Sequence, residues 1–114
     1  MSQAYFLTID AGTGSGRAVI FDTHGKQISI GQQEWTHLSE EGVANSMGFD
    51  YVTNWKILQE CIKTAIFKAG IKASSIKAVT ATSMREGIVL YDKEGNELFG
   101  VANVDARADR EVAE

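Results

Sequence analysis

The sequence predicts an α/β fold on a mixed sheet, in the order β-β-β-α-β, followed by a β-hairpin and the opening of a further helix. Three observations predict it. Two apolar runs, residues 5–10 and 17–22, flank a turn of small residues. Apolar residues then recur at helical spacing from Trp55 to Ala69. A second β-branched run, residues 75–83, follows that helix directly, as a crossover back into the first sheet would.

Each element has its own local reason. Residues 5–10 end in Asp10, and residues 17–22 open on Arg17 and continue Ala-Val-Ile-Phe-Asp. Asp22-Thr-His-Gly25 is a Gly-containing turn into a third strand, residues 26–35, with Ile28 and Ile30 on one face. Residues 36–49 are polar and glycine-containing and read as a loop, with Glu40 and Glu41 as a solvated pair. Asp50 suits a helix N-cap. The helix stripe is Trp55, Leu58, Ile62, Ala65, Ile66 and Ala69, with Trp55 as a core anchor, and Gly70 is a stop signal. After residues 75–83 come Met84-Arg85-Glu86-Gly87 and two short strands, 87–91 and 97–101. The turn between them, Asp92-x-x-Gly95, resembles Asp22-x-x-Gly25 and implies shared hairpin chemistry. Residues 105–114 read as the first turns of a helix with no stop signal, so the chain is expected to be part of a longer protein.

Composition narrows the function classes. The 114 residues suit one domain, 44% hydrophobic and 23% charged. A net charge of −4 without a basic run argues against nucleic acid as a partner. No run approaches the roughly 20 apolar residues of a membrane span, and the start lacks the pattern of a signal peptide. Cys61 is the sole cysteine and falls on the helix stripe, which suits a buried thiol and a reducing, cytoplasmic setting. His24 and His37 lack partners at ligand spacing and are expected to be solvated.

Two constellations carry candidate chemistry. The first is Asp10-Ala-Gly12-Thr13-Gly14-Ser15-Gly16-Arg17. It lacks the Lys of the Walker A loop, and it runs into a strand where the dinucleotide fingerprint would run into a helix. Its glycines let a ligand approach the backbone, Thr13 and Ser15 add hydroxyls, and Arg17 suits phosphate oxygens. Asp10, ending a strand, suits a hydrated Mg²⁺. The plainer reading is a glycine-rich hairpin turn with no ligand. The second constellation is Arg85-Glu86 after the crossover strand, with Asp105 in Asn103-Val-Asp105-Ala-Arg107. Arg donates planar hydrogen bonds and the acids accept from hydroxyls, as a polyol clamp requires. The plainer readings are a surface ion pair and an N-cap.

Taken together, Asp10-x-Gly12-Thr13-x-Ser15-x-Arg17, Asp50 with Trp55, Ser83-Met84-Arg85-Glu86-Gly87 and Asn103-x-Asp105-x-Arg107 resemble the amino-terminal domain of the FGGY carbohydrate kinases, across nearly the whole chain. The resemblance implies the ribonuclease-H-like fold of the hexokinase–actin superfamily. Residues 1–114 would be a partial, truncated amino-terminal domain with a β-hairpin insertion. It implies ATP and Mg²⁺ as cofactors and a small polyol or sugar-like substrate, with a homo-oligomer left open. Asp10 would position Mg²⁺ through water; Gly12, Thr13, Gly14, Ser15 and Arg17 would line the phosphates; Arg85, Glu86 and Asp105 would hold substrate hydroxyls. Met84 and Val104 stand where many members carry other residues, which points away from glycerol. The family's catalytic Asp and adenosine motif lie in a second half beyond these residues, so the piece alone is expected to be inactive. A pentulose or glycerol kinase and a non-catalytic sugar sensor are the alternatives.

Overall fold

The fold is described from a computed structural model covering residues 3–114. In chain order the elements are β1 (Tyr5–Ala11), β2 (Ser15–Asp22), β3 (Gln27–Glu34), α1 (Tyr51–Ala69), β4 (Ile76–Ser83), β5 (Ile88–Tyr91), β6 (Glu97–Val101) and α2 (Asp109–Ala113). They fall into two compact units, residues 1–35 with 52–83, and residues 36–51 with 84–114. No helix among the described residues is long and apolar enough to cross a membrane.

The first unit is a four-stranded sheet in the order β3-β2-β1-β4, with α1 packed on one face. β1 pairs antiparallel with β2, and β4 returns parallel to β1, so the crossover expected from the sequence forms. Leu7, Ala18, Ile20, Cys61 and Ala65 make the core, flanked by Ile9, Ile57, Ile62 and Ile66. α1 stops where expected, at Gly70 with φ +65°.

Two features of this unit follow from how closely the helix approaches the sheet. On β3 the buried residues are Ser29 and Gly31, and Ile28 on the opposite face is exposed. The helix lies too close for a large side chain there. Ser29 Oγ donates to Ala65 O at 2.6 Å, and a Cβ on Gly31 would lie 2.0 Å from Cys61 O. The sheet-facing residues of α1 are Asn54, Leu58, Cys61 and Ala65. That rotation leaves Trp55 55% exposed, so Trp55 is not the core anchor, and Trp35, 6% exposed, is the buried tryptophan. Cys61 is buried as expected; burial raises its thiol pKa, and Sγ points to Gly16 O at 3.6 Å.

The second unit contains the β5–β6 hairpin, which forms its own two-stranded sheet. Residues 36–49 are pinned by bridges Leu38↔Gly48 and Gly48↔Val101 and by buried Ser46, whose Oγ accepts from Glu40 N at 2.7 Å and donates to Val43 O at 2.8 Å. His37 is not solvated: both its ring nitrogens are buried, beside the Phe49 ring. The last helix begins at Asp109 rather than Asp105, because Asp105 is engaged in tertiary hydrogen bonds.

The likeness of the two hairpin turns holds in their carboxylate-to-backbone hydrogen bonds, and the Asn96 amide adds one more at Asp92. Asp22 Oδ1 accepts from His24 N and Lys26 N at 2.8 and 2.9 Å; Asp92 Oδ1 accepts from Glu94 N and Asn96 N at 2.9 and 2.8 Å. Both carboxyl pKa values fall, led by the Lys26 N–H at Asp22 and by the Asn96 side-chain amide at Asp92.

Gly31→Ala therefore forces a Cβ into the α1 backbone. It should destabilise the fold by about 3 kcal/mol, the upper part of the range for overpacked sites. Urea unfolding of the variant beside wild type measures this.

Candidate functional site

The glycine turn leaves β1 at Ala11 and enters β2 at Ser15, so only Gly12, Thr13 and Gly14 lie outside the strands. Its mouth is closed by Gly12 N donating to Ser15 O at 2.9 Å. Behind it stands Trp35. The Trp35 indole N–H donates to both Gly12 O and Thr13 O, at 3.2 and 3.3 Å, and its backbone N–H donates to Gly14 O at 3.1 Å. Gly16 makes room for the ring, since a Cβ there would sit 2.6 Å from Trp35 Cζ3 and 2.9 Å from Leu58 Cδ2. Gly14 is different: it is exposed, its φ is not positive, and a Cβ on it would meet nothing within 4 Å. Neither packing nor backbone conformation requires glycine at position 14, and the position is open to solvent.

Asp10 and Arg17 are cross-strand partners on β1 and β2. Arg17 Nε lies 3.4 Å from Asp10 Oδ2, an ion pair without an aligned hydrogen bond. Both side chains remain substantially exposed, at 38% for Asp10 and 42% for Arg17. No cluster of three or more metal-ligating side chains occurs among the described residues. A lone carboxylate beside a candidate phosphate turn still fits Mg²⁺, which keeps several waters and is held by one or two carboxylates plus substrate phosphates. The parallel register sets Asp10 beside Thr82 and Ala11 beside Ser83, the last residue of β4.

In the second unit, Arg85 and Glu86 form the turn between β4 and β5, and both are exposed. Glu86 adopts φ +66°, an uncommon conformation for a residue with a side chain. Glu86 and Asp105 line one open cleft of about 630 Å³, together with Asn103, Arg107, Phe99 and Val101. Arg85 is not among its lining residues.

Asp105 is already heavily engaged. Its Oδ2 accepts from Met47 N at 2.6 Å, and the Arg107 Nε–H reaches both carboxylate oxygens at 3.0 Å. Arg107 also donates from Nη1 to Glu40 at 2.8 Å and lies over the Phe99 ring at 4.9 Å. Burial works to raise the Asp105 pKa, but the Met47 and Arg107 N–H groups outweigh it, and the carboxyl titrates below the ordinary 3.8. An ionised carboxylate has about four acceptor sites, so little capacity is left for a further donor.

Reasoning from sequence missed three residues. Trp35 carried no signal beyond ending a strand. Glu40, exposed like Glu41 as expected, also pairs with Arg107. Arg107 has a structural network of its own. The motif Asp105-x-Arg107 held the one available hint, since residues two apart can pair when the backbone turns.

Residues 5–113 match the FGGY family of carbohydrate kinases, N-terminal domain, and the chain belongs to that family. Among curated relatives, autoinducer-2 kinase from Enterobacter sp. (strain 638) is 59% identical over 112 residues, covering 98% of this chain and 21% of that protein. Autoinducer-2 kinase from Yersinia enterocolitica serotype O:8 is 57% identical over 113 residues, covering 99% and 21%. The chain thus spans about a fifth of the length of these relatives. Among solved structures, gluconate kinase from Lactobacillus acidophilus superposes with a TM-score of 0.84 at 19% identity, over 98% of this chain and 22% of that one. That likeness establishes the sugar-kinase fold.

The lowered pKa sets a pH test. A carboxylate with a depressed folded-state pKa contributes its full stabilisation above the unfolded value of 3.8 and loses it as pH falls through the folded value. Asp105→Asn should cost on the order of 2 kcal/mol near neutral pH, the scale of hydrogen bonds to a charged group. The gap should shrink once pH drops below 3.8, followed by thermal denaturation at stepped pH.

Proposed function

We propose that this chain is the amino-terminal, substrate-side part of an ATP-dependent carbohydrate kinase. The whole protein would transfer the γ-phosphoryl group of ATP to a terminal hydroxyl of the autoinducer-2 signal, 4,5-dihydroxy-2,3-pentanedione. The observation that carries the reading is the Gly12–Gly14 turn beside Asp10 and Arg17, with Gly14 open to an incoming group. Family membership supports the reaction class, and the autoinducer-2 kinases at 57–59% identity support the substrate.

Phosphoryl transfer depends mainly on positioning and on neutralising phosphate charge. Gly12, Thr13, Gly14 and Ser15 would line the phosphates, with the N–H groups of Thr13, Gly14 and Ser15 and the two hydroxyls as donors, and Arg17 would add positive charge. Asp10 would hold Mg²⁺ through water; the bound ion would neutralise charge on the phosphate oxygens. Arg85 and Glu86 would orient the substrate hydroxyls by donating and accepting hydrogen bonds. Asp105, its carboxylate already engaged by Met47 and Arg107, would support them by anchoring Arg107 beside Glu86 in the same cleft. The residue that deprotonates the hydroxyl is assigned to the part of the kinase beyond residue 114.

The test is a substrate panel with the whole protein, ATP and Mg²⁺. Dihydroxypentanedione should be phosphorylated in preference to xylulose and glycerol. Brisk turnover of xylulose or glycerol with none of the dione would overturn the substrate and leave the class in place. Arg85→Ala should raise KM for the acceptor by about tenfold, the equivalent of one lost charged hydrogen bond, with KM for ATP unchanged. An unchanged acceptor KM and kcat would remove Arg85 from the substrate clamp.

A further inference from the structure

Trp35 does more than fill the core. Its two N–H groups bind the carbonyl oxygens of Gly12, Thr13 and Gly14, consecutive peptides of the turn. In a trans peptide the N–H points opposite to the C=O of the same unit. Among the described residues no peptide bond is cis. With these carbonyls drawn toward Trp35, the N–H groups of Thr13, Gly14 and Ser15 are directed the other way. Successive N–H groups on one side of a turn make a concavity suited to an anion.

The indole is held against displacement from behind. It is 6% exposed, and its ring lies against Gly16, where a Cβ would come within 2.6 Å. Leu58, from α1, packs at the same glycine. A hydrogen-bonding side chain fixed this way sets the direction of a turn that Gly12 and Gly14 would otherwise leave free.

We propose that Trp35 is a positioning residue for phosphate binding: it sets the polarity of the Gly12–Ser15 turn so that its N–H groups face the β- and γ-phosphates of ATP. The inference rests on the phosphate reading of that turn given above. It assigns Trp35 no contact with the nucleotide; the side chain acts through the loop carbonyls.

The test is steady-state kinetics of the whole protein with ATP varied and the acceptor saturating, then the reverse. Trp35→Phe keeps an aromatic ring but removes the indole N–H. Site-specific 3-benzothienylalanine at position 35 keeps the bicyclic shape and lacks the N–H, so it remains informative where Trp35→Phe fails to fold. Each should raise KM for ATP by about tenfold, the effect of one misdirected set of hydrogen bonds. KM for the acceptor should hold in both, and the melting temperature should hold with 3-benzothienylalanine, whereas Trp35→Phe lowers it by the loss of buried ring volume. A merely structural role would lower the active fraction, hence kcat, with KM for ATP unchanged, and that result overturns the proposal. Gly14→Ala separates this failure from that of the underlying reading. If Gly14→Ala raises KM for ATP and neither Trp35 replacement does, the phosphate turn stands and Trp35 is only core. If Gly14→Ala also leaves KM for ATP unchanged, the phosphate reading falls and takes this inference with it.

Discussion

The close seating of α1 on β2 and β3 is the constraint from which the first unit follows. It is possible because residues 16 and 31 are glycines: at Gly31 the helix backbone occupies the space of a Cβ, and at Gly16 that space holds Leu58 and the Trp35 ring. Ser29 adds a hydrogen bond to Ala65 O across the same contact. Close packing of this kind leaves no freedom to exchange small residues for large ones. It also decides the site, because the ring lodged at Gly16 belongs to the residue whose indole and backbone N–H groups bind the glycine turn. A packing requirement in the core is thereby converted into the orientation of three peptide groups at the surface.

The second unit is organised by charge rather than by close packing. Arg107 joins Asp105, Glu40 and the face of Phe99, while Asp105 also receives Met47 N–H. One guanidinium thus ties the segment before α1 to the segment after β6. Arginine suits this role: its planar fork serves more than one carboxylate and its face stacks on an aromatic ring. Removing one partner leaves the others without compensation, so the network behaves as a unit. Glu86 lies along the same cleft as this network, at a backbone conformation that fixes where its side chain begins.

The glycines of the turn differ in what they answer to. Gly16 is required by the neighbours it already has. Gly14 has no such neighbour, and its backbone conformation is open to any residue. The proposed phosphate role accounts for a glycine at this exposed turn, beside an aspartate and an arginine, where packing does not.

The amino-acid sequence by itself determined the order of the elements, the parallel return of β4 to β1, the paired Asp-x-x-Gly turns and the resemblance to the FGGY kinases. These depend on periodicity, turn chemistry and connectivity, which are local and written in neighbouring residues. Only the tertiary structure decided which tryptophan is buried, which face of β3 meets the helix, and that Glu40 pairs with Arg107 across 67 positions. Trp55 sat on a plausible helical stripe, but the distance between helix and sheet turned that stripe toward Asn54, Leu58 and Cys61. Such outcomes depend on how near two remote segments come to each other, and that separation is fixed by the packing of the whole unit rather than by any one stretch of it.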